Sequence, residues 1–135
     1  MRFGIEAGSW INPRGYGRFL RGLYGGLARR GRHEWVLALD AATAEEAKLR
    51  ADIPRHVIAT GYAASRGAAV HHRRSLREMV RMSRGLARGK FDALLFPSPH
   101  TYVPVPGTRE LLVIHDVTAE RFPELVFESG LAARR

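Results

Sequence analysis

Cysteine is absent from the 135 residues, which excludes a disulfide-held scaffold and a zinc site built on thiolates. The same absence is typical of a reducing compartment. Long hydrophobic runs are absent too, since none approaches the roughly 20 apolar residues that cross a bilayer. The N-terminus reaches the acidic Glu6 at once, so we expect no secretory signal and a cytoplasmic protein.

Acidic residues and lysine are scarce beside arginine. The chain has 22 Lys and Arg against 13 Asp and Glu, a net charge of +9, and Lys48 and Lys90 are its only lysines. This balance predicts an anionic partner, meaning nucleic acid, an anionic membrane surface or a phosphorylated substrate. A GC-rich genome would give the same arginine count without any partner. The length, with 45% hydrophobic and 26% charged residues, indicates one globular domain.

Apolar runs and helical periodicities alternate along the chain. The runs predict five strands, at residues 2–7, 35–39, 57–59, 91–96 and 111–114. Between them we expect helices around residues 19–27, 41–51 and 68–88, of which the first and last end at Gly31 and Gly89, and the second has Thr43 as its N-cap. The tail, residues 118–135, is predicted as a connection with one helix beginning near Ser129.

This alternation predicts an α/β fold, a Rossmann-like, doubly wound parallel sheet of about five strands. The runs at residues 94–96 and 111–114 are continuous, as expected of buried parallel strands. In such sheets ligands bind at the carboxyl ends of the strands, where the strand order reverses. We expect the first and fourth strands to flank that point.

The loop at residues 13–18 leads from the first strand into the first helix. Gly15 and Gly17 let backbone approach a ligand, and the helix N-terminus attracts phosphate. An ordinary flexible turn is the alternative. A dinucleotide fingerprint is disfavoured because Leu20 replaces its third glycine, although Asp40 lies where a ribose-binding acid would be.

Polar residues also follow the fourth and fifth strands. His115 could donate to a substrate oxygen or exchange a proton, or it could simply be bonded to backbone. A hydrolase triad with Ser98 and Asp116 is disfavoured because no Gly-x-Ser-x-Gly elbow surrounds the serine. The spacing of His115, Asp116 and Glu120 matches no standard metal site, and no metal is expected.

The third helix predicts a basic stripe beside an apolar face. At about 100° per residue, five arginines fall on one side: Arg73, Arg77, Arg81, Arg84 and Arg88. The apolar face expected to pack on the sheet comprises Leu76, Met79, Val80, Leu86 and Ala87. The stripe is either a solvated face or a surface for an anionic membrane or a phosphorylated acceptor. Nucleic acid is disfavoured because no aromatic residues interleave with the arginines.

Five segments together, residues 3–8, 14–19, 96–98, 113–117 and 120–124, resemble in order the N-terminal domain of the family-4 glycosyltransferases. The most specific of them is the His-Asp ending of the fifth strand followed by Phe-Pro-Glu. Many members carry Gly-Gly-x-Gly-Arg in the glycine loop, where this chain has one glycine replaced.

The resemblance implies a GT-B-fold, retaining transferase that moves a sugar from a nucleotide-sugar to a glycan or lipid-linked acceptor without a metal cofactor. It implies that His115 is the catalytic residue that contacts the transferred sugar. The implied substrate-binding residues are Gly15, Tyr16, Gly17, Arg18, Ser98, Asp116, Glu120 and Arg121.

The resemblance also implies that the nucleotide-sugar-binding domain and the end of the N-terminal domain lie outside these residues. We therefore expect the chain to be a fragment that is inactive alone, and its fifth strand to be a sheet edge that pairs in a homodimer. The alternative is a non-enzymatic module that binds membrane lipid or nucleic acid through the arginine stripe. A nucleotide-binding α/β protein without sugar chemistry comes third.

Overall fold

The computed structural model describes residues 1–60 and 75–122, which form one α/β unit. Its strands are β1 (Arg2–Glu6), β2 (Glu34–Asp40), β3 (Arg55–Ile58), β4 (Ala93–Phe96) and β5 (Arg109–Leu112). Its helices are α1 (Gly15–Arg29), α2 (Ala41–Ala47), α3 (Leu76–Arg88) and the four-residue α4 (Thr118–Arg121), with a 3-10 turn at Pro99–Thr101. No helix within these ranges is long and apolar enough to cross a membrane.

The five strands form one sheet in the order β3-β2-β1-β4-β5, and every pairing is parallel. The strand order reverses between β1 and β4, where Phe3 lies beside Ala93 and Ile5 beside Leu95. The predicted Rossmann-like sheet is therefore confirmed, with its switch point between the first and fourth strands. Loops that follow β1, β4 and β5 meet at the same end of the sheet.

Helices cover both faces of the sheet. On one face, α1 packs Leu20 and Tyr24 against alternate residues of β1 and β2, such as Ile5 and Leu37. On the opposite face, α3 packs Met82 and Leu86 into a core with residues of β2, β3 and β4: Val36, Ala38, Ile58, Leu94 and Phe96. Because both faces of the central strands are covered, these strands are continuously apolar.

The ends of α1 and α2 are set by different residues. Gly31 follows α1 with a positive φ of 61°, the left-handed conformation that glycine adopts most easily, so the predicted end is confirmed. The N-cap of α2 is Asp40, not Thr43 as predicted. One Asp40 carboxylate oxygen accepts from the Thr43 N–H at 2.9 Å and the other from the Thr43 hydroxyl at 2.6 Å.

Helix α3 begins later than the periodicity predicts. Ser75 is its N-cap, and Ser75 and Glu78 form a capping box in which each side chain accepts from the other's backbone N–H. The helix therefore starts at Leu76 and not near residue 68. Arg73 of the predicted stripe lies outside the described residues, as does the predicted helix near Ser129.

The buried face of α3 also differs from the predicted one. Met82, Gly85 and Leu86 are buried, with Met79 packed against them. Three residues assigned to the buried face are exposed: Leu76, Val80 and Ala87. Met79, Met82 and Leu86 lie on the side of α3 that packs on the sheet. Leu76, Val80 and Ala87 lie on the helix surface within about 100° of the arginines and are therefore turned away from the sheet.

Strand β5 lies at an edge of the described sheet, as expected, and its apolar residues are therefore not buried as the continuous run predicted. Leu111 is 59% exposed and Leu112 is 40% exposed, whereas Leu94 and Phe96 of β4 are fully buried. The strand also starts earlier than predicted and ends at Leu112, after which the Val113 N–H still donates to the Phe96 carbonyl at 2.9 Å. An apolar run alone does not distinguish a central strand from an edge strand.

Candidate functional site

The start of α1 and two segments that follow strands bring aromatic and imidazole rings together at the carboxyl end of the sheet. Tyr16 lies in the first turn of α1, His100 in the 3-10 turn after β4, and His115 beyond β5. The Tyr16 hydroxyl and His100 Nε2 are 3.2 Å apart. The Tyr16 ring meets the His115 ring edge-to-face, with centroids 5.1 Å apart. We call Tyr16, His100 and His115 the crevice cluster.

His115 is fixed at one ring nitrogen. Its Nε2 lies 2.7 Å from the Pro97 carbonyl oxygen, which can only accept, so Nε2 carries a hydrogen and donates. Phe19 packs against the same ring edge-to-face at 4.7 Å. Within the described residues, Nδ1 makes no hydrogen bond, and the side chain is exposed. The interpretation of a backbone-bonded histidine is therefore confirmed, and a contact with substrate through Nδ1 stays a prediction.

Gly15 and Gly17, predicted in a loop, lie in the first turn of α1 and have different environments. Gly15 is exposed, and a Cβ there would have nothing within 4 Å. Gly17 is buried, and a Cβ there would overlap the Asn12 carbonyl oxygen and lie 2.7 Å from the Ser9 carbonyl oxygen. Gly17 thus lets the loop fold onto its own backbone, while Gly15 leaves space for another molecule.

The loop before α1 is held in place by the side chain of Arg21. Its guanidinium donates to the carbonyls of Trp10 and Asn12, the latter at 3.1 Å. The Asn12 side chain in turn accepts from the Arg14 N–H at 2.8 Å. The segment that leads into α1 is therefore held in place by hydrogen bonds between these two side chains and the backbone.

Helix α1 begins without a side-chain cap. The N-cap is Arg14, whose side chain makes no capping bond, whereas α2 and α3 are capped by Asp40 and Ser75. In the described part of the chain, the N–H groups of Gly15, Tyr16 and Gly17 donate to no acceptor. A helix start with free N–H groups carries a partial positive charge and attracts anions.

Ser98 organises the neighbouring turn. The residue is 1% exposed, and its hydroxyl accepts from the His100 N–H at 3.2 Å as the N-cap of the 3-10 turn. Its hydroxyl thus faces His100 and not His115, which is bonded to Pro97, so the two are not arranged as a nucleophile and its base. Ser98 positions the crevice cluster from within the protein.

The remaining predicted site residues lie at the margin. Asp116 is exposed and accepts from the Thr118 N–H at 3.0 Å, which starts α4. Arg18, Glu120 and Arg121 are exposed, and their side chains make no hydrogen bond or ion pair with the described residues. The structure brings Tyr16 and His115 together with Gly15 nearby in sequence, and it leaves these four outside the cluster.

No family model, curated protein or solved structure matches this chain. Asp40 is fully buried and its carboxylate caps α2, which argues against a ribose contact. Among the residues the structure describes, no three His, Asp or Glu side chains are grouped to hold a metal ion.

Two residues of this site were not assigned to it from the sequence. His100 follows Pro99 in a loop of turn-forming residues, and only the fold places it against Tyr16. Phe19 was counted with the apolar face of α1, but it is 37% exposed and lies on His115. The sequence signal that could have indicated this position is that Phe19 directly follows the basic Arg18 near the start of the helix.

Glu110 ties β5 to the loop that carries the crevice cluster. One carboxylate oxygen accepts from the Tyr102 hydroxyl at 2.9 Å, and the other accepts from the Val105 N–H. The bond to Glu110, with a smaller contribution from desolvation, raises the pKa of Tyr102 above its ordinary value of 10.0. Burial likewise raises the pKa of Tyr24.

We expect Glu110→Gln to lower the pKa of Tyr102 toward its ordinary value, because the charged acceptor that favours the phenol is removed. The hydrogen bond from the Tyr102 phenol to Glu110 stabilises the folded protein at pH values below 10, where Tyr102 is protonated in both the folded and the unfolded chain. This stabilisation is lost as pH rises through the raised pKa of Tyr102 in the folded protein. Absorbance titration of tyrosinate measures it, with Tyr102→Phe to assign the transition and Tyr24 as the internal control. An unchanged titration curve in Glu110→Gln would contradict the assignment.

Proposed function

We propose that this chain is the acceptor-side domain of a retaining, GT-B-type glycosyltransferase, which moves a sugar from a nucleotide-sugar to an acceptor. The observation that carries the proposal is the meeting of Tyr16, His100 and His115 at the strand-order switch point, beside the uncapped start of α1. Hydroxyl and imidazole groups bind sugar hydroxyls, and free N–H groups bind phosphate.

The start of α1 would receive the diphosphate of the donor. Three N–H groups there lack acceptors within the described residues, and Gly15 leaves open space above them. When the bond between the sugar and the diphosphate breaks, negative charge grows on the leaving phosphate oxygen. The positive end of a 15-residue helix would stabilise that charge, and exposed Arg18 would add a charge-assisted hydrogen bond.

His115 would orient the transferred sugar through Nδ1. Neutral imidazole with a hydrogen on Nε2 accepts a hydroxyl hydrogen at Nδ1, and imidazolium donates there, so either form bonds a sugar hydroxyl. The Pro97 bond and the Tyr16 and Phe19 rings fix the imidazole before substrate arrives. A side chain that needs no rearrangement keeps more of its binding energy for the transition state.

The proposal includes a cytoplasmic location at an anionic membrane surface. The absence of cysteine fits a reducing compartment. On α3, Leu76 is 77% exposed and Val80 is 47% exposed, and both lie next to the exposed arginines of the same helix. Exposed apolar residues beside arginines are the composition of helices that lie on anionic bilayers.

The test is sugar transfer and nucleotide-sugar hydrolysis by the complete gene product, assayed over a panel of nucleotide-sugars. We expect one or a few donors to be turned over, and the 135-residue chain alone to transfer nothing because it lacks the donor-binding domain. Sugar transfer by this chain alone would refute the proposal that it is only the acceptor-side domain. Failure of the complete protein to bind any nucleotide-sugar would favour the anion-binding module, whose binding falls steeply with salt and does not depend on His115.

A further inference from the structure

A second concave surface lies on the flank of the sheet, away from the crevice cluster. It is a cleft of about 420 Å³ between edge strand β3 and the outer side of α3. Its lining residues are His56, Val57, Ile58, Ala59, Arg81, Arg84, Gly85 and Arg88. We call this the β3–α3 cleft, and a volume of this size fits a small molecule or a lipid headgroup.

The described residues that line the β3–α3 cleft carry only positive charge. Three of them, Arg81, Arg84 and Arg88, are exposed arginines, and none of the described lining residues is acidic. Within residues 1–60 and 75–122, none of the three forms a salt bridge, whereas Arg2 and Arg50 are paired with Glu34 and Asp52. Three guanidinium groups around one space, with no ion pair among the described residues, repel each other, and an anion bound there would relieve the repulsion.

Local packing builds this arrangement. The spacing of Arg81, Arg84 and Arg88 places them within about 60° of one another on α3. Gly85 lies beside them and is buried, and a Cβ there would lie 3.1 Å from Ile58 Cγ1 and closer still to Cγ2. The missing side chain lets α3 approach β3, which brings the arginines to the strand edge. A hydrogen bond of 2.9 Å from His56 Nε2 to the Gly85 carbonyl holds the two elements together.

We propose that the β3–α3 cleft binds a phosphoryl group of the phosphomonoester type. Guanidinium forks match the oxygen geometry of phosphate and form paired charge-assisted bonds with it. Three such groups suit a dianion better than a single carboxylate. The inference does not depend on the proposed sugar transfer, because it rests on surfaces that the crevice cluster does not share.

Two features bear on the choice of ligand. The C-terminal end of α3, where Arg88 lies, carries a partial negative charge of about half a unit, which three full positive charges exceed. Among the described residues that line the cleft there is no Phe, Tyr or Trp, so these residues offer the bases of a nucleic acid no aromatic ring to stack on. The phosphoryl group therefore comes from a small phosphorylated molecule or from a lipid headgroup.

The test measures binding of inorganic phosphate to the 135-residue chain by calorimetry, and of vesicles that contain phosphatidic acid by sedimentation. We expect Arg84→Gln to weaken binding of phosphate about tenfold, because it removes a charged hydrogen-bond donor. Arg77→Gln is the matched control, since Arg77 is exposed on the same helix but does not line the cleft. It should weaken binding less than twofold.

The phosphate and vesicle measurements distinguish a lipid headgroup from a soluble phosphorylated ligand. A lipid headgroup predicts vesicle binding that free phosphate displaces, and a soluble ligand predicts phosphate binding without vesicle binding. The proposal is overturned if neither probe binds, if Arg77→Gln and Arg84→Gln weaken binding equally, or if single-stranded RNA binds and phosphate does not displace it. Circular dichroism of both variants checks that the fold is kept.

Discussion

Replacement of Gly17 by alanine should destabilise the protein by about 3 kcal/mol or more. The added Cβ would overlap the Asn12 carbonyl oxygen and lie 2.7 Å from that of Ser9. Both obstacles are backbone atoms of a loop that Arg21 holds in place, so they cannot turn aside as a flexible side chain could. Either the loop must shift or α1 must start later, and both changes disturb the helix start that carries Tyr16.

Gly15→Ala is the matched control for this result. Nothing lies within 4 Å of a Cβ at Gly15, which is the first residue of the same helix. Alanine there should stabilise the protein by about 0.5 kcal/mol, because the unfolded chain loses freedom and the fold loses no contact. Urea unfolding followed by circular dichroism measures both variants, and Trp10 fluorescence reports on the loop. Equal stability of Gly17→Ala and wild type would contradict the packing described here.

The sheet could be predicted from the sequence because its signal is repeated. Each strand is a short apolar run and each helix has its own period, and a chain that alternates between them has one common solution, a parallel sheet with helices on both faces. Gly31 marked the end of α1 for an equally local reason, since its left-handed backbone favours glycine. Features set by neighbours in sequence were predictable.

Features set by tertiary contacts were not. The apolar run predicted a buried strand, and the exposure of Leu111 and Leu112 depends on β5 being an edge strand, which the resemblance but not the run itself led us to expect. The face of α3 was misassigned because Leu76 and Val80 are as apolar as Met82, and only packing against β3 and β4 decides which is buried. One local feature was missed as well, since Thr43 was predicted as the N-cap of α2, whereas Asp40, three residues before it, is the cap and accepts from the Thr43 N–H and hydroxyl.

The candidate site shows the same division. Convergence of the loops after β1, β4 and β5 follows from parallel strands, so His115 and the glycine loop could be placed together in advance. The contact of Tyr16 with His100 depends on the path of the 3-10 turn that Ser98 caps. The burial of Gly17 depends on the fold of residues 9–12, which no sequence period describes.

The largest functional effect is expected at His115. Under the proposed function, His115→Ala in the complete protein should lower kcat/KM for sugar transfer about 10- to 100-fold, since it would remove the proposed hydrogen bond of about 1.5 to 3 kcal/mol to the reacting sugar. Stability should change little, because the side chain is exposed. His33→Ala is a control, because His33 is an exposed histidine that precedes β2, at the opposite end of the sheet.

Two further variants separate contact with the sugar from support of the loop. An asparagine at 115 keeps a polar atom near the position of Nδ1, and a glutamine keeps one near Nε2, which can still donate to the Pro97 carbonyl. If Nδ1 contacts the sugar, His115→Asn retains more activity than His115→Gln. If the ring only supports the loop through Pro97, the order is reversed.

The most direct test of the account is kcat/KM of the complete protein for its best nucleotide-sugar, measured for wild type, His115→Ala, His115→Asn, His115→Gln and His33→Ala. We expect a loss of about 10- to 100-fold in His115→Ala with the free energy of unfolding unchanged, partial recovery in His115→Asn, and wild-type turnover in His33→Ala. Turnover in His115→Ala equal to wild type, or loss that only tracks reduced stability, would contradict the role of the crevice cluster in sugar transfer.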